Sequence, residues 1–157
     1  ARSPEELRDD LMKLAEGDDP DLRSAALRTL GAHKVRAAGP LLVKRAQDPS
    51  FQTLSPEERR EILDALFALH PARAETLAME LVQKHGIIPD EALDITRAAC
   101  ADLLGREAKS EEALTAVLEA IKRRWWNGPV LREAAMRAAE RIAVRVGKRV
   151  LPTGELS

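Results

Sequence analysis

Apolar residues recur at helical spacing along almost the whole chain. In the first stretch Leu7, Leu11 and Leu14 follow one another at steps of four and three, which places them on one side of an α-helix. Similar stretches lie between proline, glycine and serine turn signals, and together they predict eight helices. The predicted helices run from Pro4 to Gly17, Pro20 to Gly31, Arg36 to Ala46, Pro56 to His70, Ala72 to His85, Pro89 to Gly105, Ser110 to Trp125 and Pro129 to Gly147.

Two features of the pattern concern the first half of the chain. The second predicted helix carries Leu22, Leu27 and Leu30 on the side that we expect to face the core. The longest connection, DPSFQTLSP, contains Phe51 and Leu54, so it is not purely polar. We expect this connection to fold back over the helix ends, because both side chains need an apolar environment.

The chain contains nearly the same phrase twice. Residues 20–28 read PDLRSAALR and residues 129–137 read PVLREAAMR, at an offset of 109 residues. Aligning the last inward position of alternate helices, at Leu30, Leu69, Leu104 and Ala139, gives steps of 39, 35 and 35, which sum to the same offset. A period of this size, built from paired helices, is typical of an α-solenoid. The alternative interpretation is a helical bundle whose alanine and leucine positions happen to recur.

One stretch also resembles a known family. Residues 18–48, DDPDLRSAALRTLGAHKVRAAGPLLVKRAQD, are similar to the bacterial HEAT-like repeat of the phycobilisome-lyase type. The resemblance rests on the Asp-Pro before the first helix, the Leu-Arg pair near its start, the small alanines, the Leu-Gly stop and the aspartate after the second helix. It implies an all-α, right-handed α-solenoid of about four helical hairpins, read as an additional first helix followed by pairs, the last incomplete. Residues 55–86 depart from the pattern.

Composition supports the all-α class. Aromatic residues make up only 3% of the 157 residues and tyrosine is absent, whereas strong helix formers are abundant. We expect a single HEAT-like domain at 1–157, cut from a longer protein because the chain starts at Ala1 without methionine, with a flexible C-terminal tail at 148–157. A single cysteine fits a reducing cytoplasm. No apolar run approaches the roughly 20 residues that span a bilayer, so we expect a cytoplasmic protein without membrane insertion.

Charge is distributed unevenly. Residues 1–120 hold 16 Lys and Arg against 23 Asp and Glu, a balance of −7, while residues 121–157 hold 9 against 3, a balance of +6. The sequence pI is near 6.4, which argues against a general nucleic-acid-binding surface.

No stretch supplies a convincing catalytic or metal-binding set, and we expect a protein that is not an enzyme and has no cofactor. The three histidines, His33, His70 and His85, fall at helix ends or in turns, where a cation suits the helix dipole. No two of them have the i, i+4 spacing of a helical zinc site. Cys100 falls at the position equivalent to Ala26, so we interpret it as a small buried residue.

Three arginines recur at equivalent positions of the repeat. Arg23 and Arg132 lie in the first turn of their predicted helices, and Arg97 lies level with them in the aligned third copy. We expect them to bond acidic groups or carbonyl oxygens of the adjacent repeat. An anion-binding ladder is the functional alternative.

The segment IKRRWWNG at 121–128 is the strongest candidate for binding a partner. Trp125 continues the apolar stripe of its helix, whereas Trp126 lies about 100° away and is expected to be exposed beside two arginines. Tryptophan and arginine dominate interface hot spots. With the outward residues of the second helix of each pair, the candidate partner-binding residues are Lys44, Gln83, Glu119, Arg123, Arg124 and Trp126.

These observations predict a protein–protein interaction or scaffolding module of a larger cytoplasmic protein. The expected partner is another protein or another domain of the same polypeptide. The alternative is a HEAT-like nucleic-acid-binding protein or a repair enzyme of the DNA glycosylase type, because Arg123 and Arg124 lie in the basic C-terminal part of the chain.

Overall fold

The structure, a computed structural model, describes residues 3–84, 88, 90–122, 127–152 and 155–157. The described part is all-α, and it contains no strand beyond one isolated bridge between Val150 and Leu156. The helices are α1 Pro4–Ala15, α2 Pro20–Ala32, α3 Gly39–Gln47, α4 Pro56–Leu69, α5 Pro71–Gln83, α6 Glu91–Glu107, α7 Glu111–Lys122 and α8 Pro129–Arg145. Two short 3₁₀ helices, Arg36–Ala38 and Pro49–Thr53, flank α3.

Helix starts follow the capping signals in the sequence. Ser3 Oγ accepts a hydrogen bond from the backbone N–H of Glu6 at 3.2 Å, and Ser55 Oγ accepts one from Glu58 at 3.1 Å. Asp19 caps α2 in the same way through the N–H groups of Asp21 and Leu22. Each of these helices has proline at its first position, where a missing N–H costs nothing. The predicted starts of α1, α2 and α4 are therefore confirmed.

The glycine signal for the end of α6 is wrong. Gly105 lies inside the helix, which continues to Glu107. A Cβ atom at Gly105 would lie 2.9 Å from Ala138 Cα, so the glycine allows α6 and α8 to approach each other closely. Its role is helix packing and not helix termination.

The chain divides into two compact units, Ala1–Ala74 and Glu75–Ser157. In the first unit α1 packs on α2, and both α2 and α3 pack on α4. Its core contains Leu27, Leu30, Leu42, Ile62 and Leu66, none of which is exposed. Phe51 is 1% exposed, which confirms that the long connection folds back over the helices.

In the second unit α8 packs on both α6 and α7. Leu104, Leu114, Val117, Leu131 and Ile142 form the centre of its core. Alternate helices therefore pack in both units, α2 on α4 and α6 on α8, which is the local arrangement that a helix-pair repeat produces.

Neighbouring helices also pack on each other, α1 on α2, α3 on α4 and α7 on α8. An additional first helix and an incomplete last repeat stay predictions, because these contacts fit either grouping of the helices into pairs.

Three leucines of the predicted apolar stripes are exposed. The exposed fractions are 51% for Leu7, 41% for Leu14 and 48% for Leu22. The expectation that Leu22 faces the core is therefore wrong, because helical spacing alone does not show which side of a helix another element covers.

The C-terminal segment makes backbone contacts with itself. Leu151 N–H donates to Glu155 O at 2.8 Å, and Ser157 N–H donates to Arg149 O at 2.9 Å. The flexibility expected for 148–157 stays a prediction. None of the helices in the described ranges is both long enough and apolar enough to span a bilayer.

Candidate protein-binding sites

Lys44 lies on the rim of an open groove in the first unit. The groove has a volume of about 760 Å³ and runs beside α3, between the 3₁₀ helix that follows α3 and the start of α5. Its lining residues are Gly39, Pro40, Val43, Lys44, Gln47, Asp48, Pro49, His70 and Arg73. The sequence pattern identified Lys44 as outward, and the structure adds that it stands next to an apolar floor.

The floor of the groove depends on a close contact between α3 and the α4–α5 turn. A Cβ atom at Gly39 would overlap the imidazole ring of His70, so only glycine lets the ring lie against the start of α3. His70 Nε2 lies 3.1 Å from the carbonyl oxygen of Arg36 and donates to it in the tautomer that carries hydrogen on Nε2. His70 thus has a structural role at a helix end, as its position in the sequence predicted.

The charges around the groove are two cations and one carboxylate. Lys44 and Arg73 are both exposed. Asp48 Oδ1 accepts a hydrogen bond from Ser50 N–H at 2.9 Å, and hydrogen bonding to Ser50 lowers the pKa of Asp48. Asp48 also caps the following 3₁₀ helix, and it is itself exposed, so an incoming segment meets two cations and one carboxylate.

Gln83 and Glu119 meet at a smaller pocket in the second unit. This pocket has a volume of about 280 Å³, and Val82, Gln83, Arg97, Glu119 and Ala120 line it. The structure thus brings together two of the residues that the sequence predicted to be outward. Lys44 belongs to the other unit.

Arg97 organises the wall of this second pocket. The residue is 2% exposed. Its Nε and Nη2 groups donate to Val82 O at 2.9 and 2.6 Å, and Nη1 donates to Asn127 Oδ1 at 2.5 Å and to Asp94 Oδ1 at 3.3 Å. A buried guanidinium is stable only when its donors are satisfied in this way.

The same hydrogen-bond network positions the two residues that precede α8. Asn127 Nδ2 donates to Ala120 O at 2.6 Å, and Gly128 N–H donates to Asp94 Oδ2 at 3.1 Å. The two residues directly before α8 are thereby bonded to α7 and to α6. Arg123, Arg124 and Trp126, the remaining predicted contact residues, lie outside the described residues, as do Trp125 and His85.

Arg23 is satisfied by different groups. Its Nε and Nη2 donate to the two oxygens of Glu58 at 2.5 and 3.0 Å, and Nη1 donates to Gly17 O at 2.9 Å. The hydrogen bond to Glu58 is the main reason that the pKa of Arg23 is raised. Arg23 and Arg97 therefore bond acidic groups and carbonyl oxygens of other segments, as the recurrence predicted. At the third position, Arg132 Nε is buried without a hydrogen-bond partner among the described residues.

His33 and Cys100 occupy structural positions. His33 follows α2 as its C-terminal cap residue. Cys100 is buried, and burial raises the pKa of its thiol to about 12, so the thiolate nucleophile is disfavoured. No cluster of three potential metal ligands occurs within the described residues.

Sequence reasoning missed most of the groove around Lys44. Pro40, Val43, Pro49 and Arg73 belong to three different segments, so no local pattern reveals that they line one surface. The only signal was Gly39-Pro40 inside a predicted helix, since a glycine at such a place often marks a close contact.

Comparisons with known proteins identify no relative. No family model, no curated protein and no solved structure matches this chain. The similarity to HEAT-like repeats consequently stays a prediction from the residues.

Proposed function

We propose that this chain is a HEAT-like, right-handed α-solenoid that acts as a non-catalytic protein–protein interaction module of a larger cytoplasmic protein. Two features support the repeat. Alternate helices pack on each other in both units, and Arg23 and Arg97, at equivalent positions, each donate to a backbone carbonyl of the preceding segment, Gly17 O and Val82 O. Stacked helix pairs leave extended surfaces that typically bind other proteins.

The groove beside α3 is the observation that carries the proposed function. It combines an apolar floor made by Pro40, Val43 and Pro49 with the exposed cations Lys44 and Arg73. Such a site binds a peptide segment by burying its apolar side chains, while the cations orient its polar groups. His70 and Arg36 hold the groove in place by the contact between the α4–α5 turn and the segment before α3.

A selection from a displayed random peptide library tests this function. The wild-type chain is the bait, and enriched peptides are then measured by fluorescence anisotropy against two variants. Val43→Glu places a charge on the groove floor, and we expect it to weaken binding by at least about tenfold because apolar burial is lost. Val144→Glu is the matched control, since Val144 is 79% exposed on α8, and it should leave the affinity unchanged.

Two results would contradict the proposal. The first is that no peptide is enriched, or that enriched peptides bind Val43→Glu as tightly as the wild type. The second is binding of labelled duplex DNA at about 50 mM salt that is lost in Arg123→Glu/Arg124→Glu, because that result favours the nucleic-acid alternative.

A further inference from the structure

The outer surface of the first helical hairpin is apolar and uncovered. Leu7 and Leu14 are seven residues apart and lie on one side of α1, and Leu22 is in the first turn of α2. All three are more than 40% exposed. We call these three residues the N-terminal leucine face.

Fraying of α1 does not explain this exposure. Ser3 caps the first turn, and the carbonyl oxygen of Ala15 in the last turn accepts a hydrogen bond from Arg45 of α3. Ala15 itself is fully buried. The helix is therefore held at both ends while its leucines point away from the unit.

The last helix presents a contrasting surface. Gly31 of α2 faces Ala65 of α4, and the equivalent Gly105 of α6 faces Ala138 of α8. One step further along the repeat, the equivalent position on α8 is Glu140, which is exposed. A glutamate at the position that allows close helix packing makes this side of α8 polar.

The N-terminal leucine face has no such polar protection, but its surroundings are strongly acidic. Residues 3–22 contain eight acidic residues against two basic ones, a balance of −6. Seven of the eight carboxylates belong to exposed residues: Glu5, Glu6, Asp9, Glu16, Asp18, Asp19 and Asp21. Exposed leucines in a hairpin of net negative charge fit a partner that carries positive charge.

We propose that the N-terminal leucine face binds a basic amphipathic helix, whose apolar stripe covers the leucines and whose Lys or Arg side chains complement the net negative charge of the hairpin. An amphipathic helix presents its apolar anchors at i, i+3 or i+4 and i+7, so its stripe is long enough to reach from Leu7 to Leu14. This surface does not share residues with the groove beside α3, so the two proposed sites can be tested independently.

Two fluorescein-labelled helical peptides test the proposal on the full chain. Both carry one leucine stripe, and the remaining positions are Lys and Arg in the first peptide and Glu in the second. Anisotropy titrations at low salt should show that the basic peptide binds at least about tenfold more tightly than the acidic one, with an affinity that falls as salt rises.

Two pairs of variants locate the binding surface. Leu7→Ser/Leu14→Ser should weaken binding of the basic peptide by at least about tenfold, whereas Val130→Ser/Val144→Ser, at exposed positions of α8, should not change it. Glu6→Lys/Asp21→Lys should also weaken binding, because Glu6 is next to Leu7 and Asp21 is next to Leu22 in the chain. Glu57→Lys/Glu112→Lys changes the net charge by the same amount elsewhere and should have a much smaller effect. Circular dichroism checks that every variant keeps its helix content.

Several outcomes would overturn this assignment. Equal binding of the basic and acidic peptides would remove the role of charge, and unchanged binding to Leu7→Ser/Leu14→Ser would remove the leucine face. If neither peptide binds, the leucine face is not a binding site for an amphipathic helix. Concentration-dependent self-association of the wild type that Leu7→Ser/Leu14→Ser abolishes would assign the face to a second copy of the chain.

Discussion

Helices α2 and α6 occupy equivalent positions, one in each unit, at an offset of 74 residues. Arg23 corresponds to Arg97, Ala26 to Cys100 and Gly31 to Gly105. In each pair the residue type is the same or similar in size, but the surroundings differ. The comparison therefore separates what a repeat position requires from what the local packing adds.

The arginines show the difference most clearly. Arg23 pairs with a carboxylate of α4, whereas Arg97 is satisfied mainly by a backbone carbonyl and an amide side chain. The difference comes from the helix that packs on α2 or on α6. Helix α4, which packs on α2, has Glu58 in its first turn. Helix α8, which packs on α6, begins Pro-Val-Leu and has no acidic residue before Glu133. A shared arginine thus joins neighbouring segments in both units through different acceptors.

The largest expected effect is that of Arg97→Met. The substitution leaves Asp94 and Asn127 without their buried donor, and the loss of one partner from a buried charged network typically costs about 3–5 kcal/mol. Urea denaturation followed by circular dichroism measures this change in the free energy of unfolding. Arg73→Met is the control, because Arg73 is exposed, and it should change stability by less than about 0.5 kcal/mol. A similar small loss for both variants would contradict the structural role of Arg97.

Arg23→Met should cost less, about 1–3 kcal/mol. Glu58 is left with Arg45, whose Nη2 lies 3.8 Å from Glu58 Oε1, so the carboxylate keeps a second cation. A double-mutant cycle of Arg23→Met with Glu58→Gln should give a coupling energy of about 1–3 kcal/mol, since the two residues are in direct contact. A coupling energy near zero would show that the pair contributes nothing beyond its separate desolvation.

Sequence patterns predicted the parts of this fold that local chemistry determines. Ser3, Asp19 and Ser55 cap their helices because a short polar side chain reaches the N–H groups of the next turn. The recurrence of Arg23 and Arg97 predicted bonds to acidic groups and carbonyl oxygens, because a charged group at a mostly buried repeat position needs acceptors.

The remaining features depend on distant segments. Leu14 is exposed because no described element of the unit covers it. Helical spacing alone does not show which helix sides are covered. The groove beside Lys44 is formed by residues up to 34 positions apart, from Gly39 to Arg73. Periodicity identified Lys44, Gln83 and Glu119 as outward, but it contained no information on which of them share a pocket.

The glycines are the third pair in the comparison. Gly105→Ala should destabilise the chain by about 1–3 kcal/mol, because the new methyl group would lie 2.9 Å from Ala138 Cα and the helices must separate. Gly31→Ala places its methyl group 3.6 Å from Ala65 Cα, an ordinary contact. Alanine is also the better helix former, so Gly31→Ala should be neutral or should stabilise the chain by up to about 1 kcal/mol.

Thermal and urea unfolding of the two glycine variants measures this difference directly. Because both substitutions add the same methyl group to equivalent helices, their unfolded-state effects largely cancel in the comparison. Equal stability changes would mean that α6 and α8 are not closer together than α2 and α4.

The smallest effect at neutral pH concerns Cys100, which stands where α2 has Ala26. Cys100→Ala reproduces the residue of the other unit and should cost about 1 kcal/mol, because the sulfur fills space in a core that is otherwise close-packed. Urea unfolding at pH 7 measures this loss. The reverse substitution, Ala26→Cys, is the control for whether α2 has room for the sulfur.

Alkaline pH sharpens the test of Cys100, because burial raises the pKa of its thiol from an ordinary 9.0 to about 12. The folded chain prefers the protonated thiol, so this contribution to stability is fully present below pH 9 and is lost as the pH rises towards 12. The stability advantage of the wild type over Cys100→Ala should therefore shrink across this range, whereas other titrating groups act on both proteins alike. A constant difference between the two proteins would show that the thiol of Cys100 is not buried, unlike the side chain of Ala26.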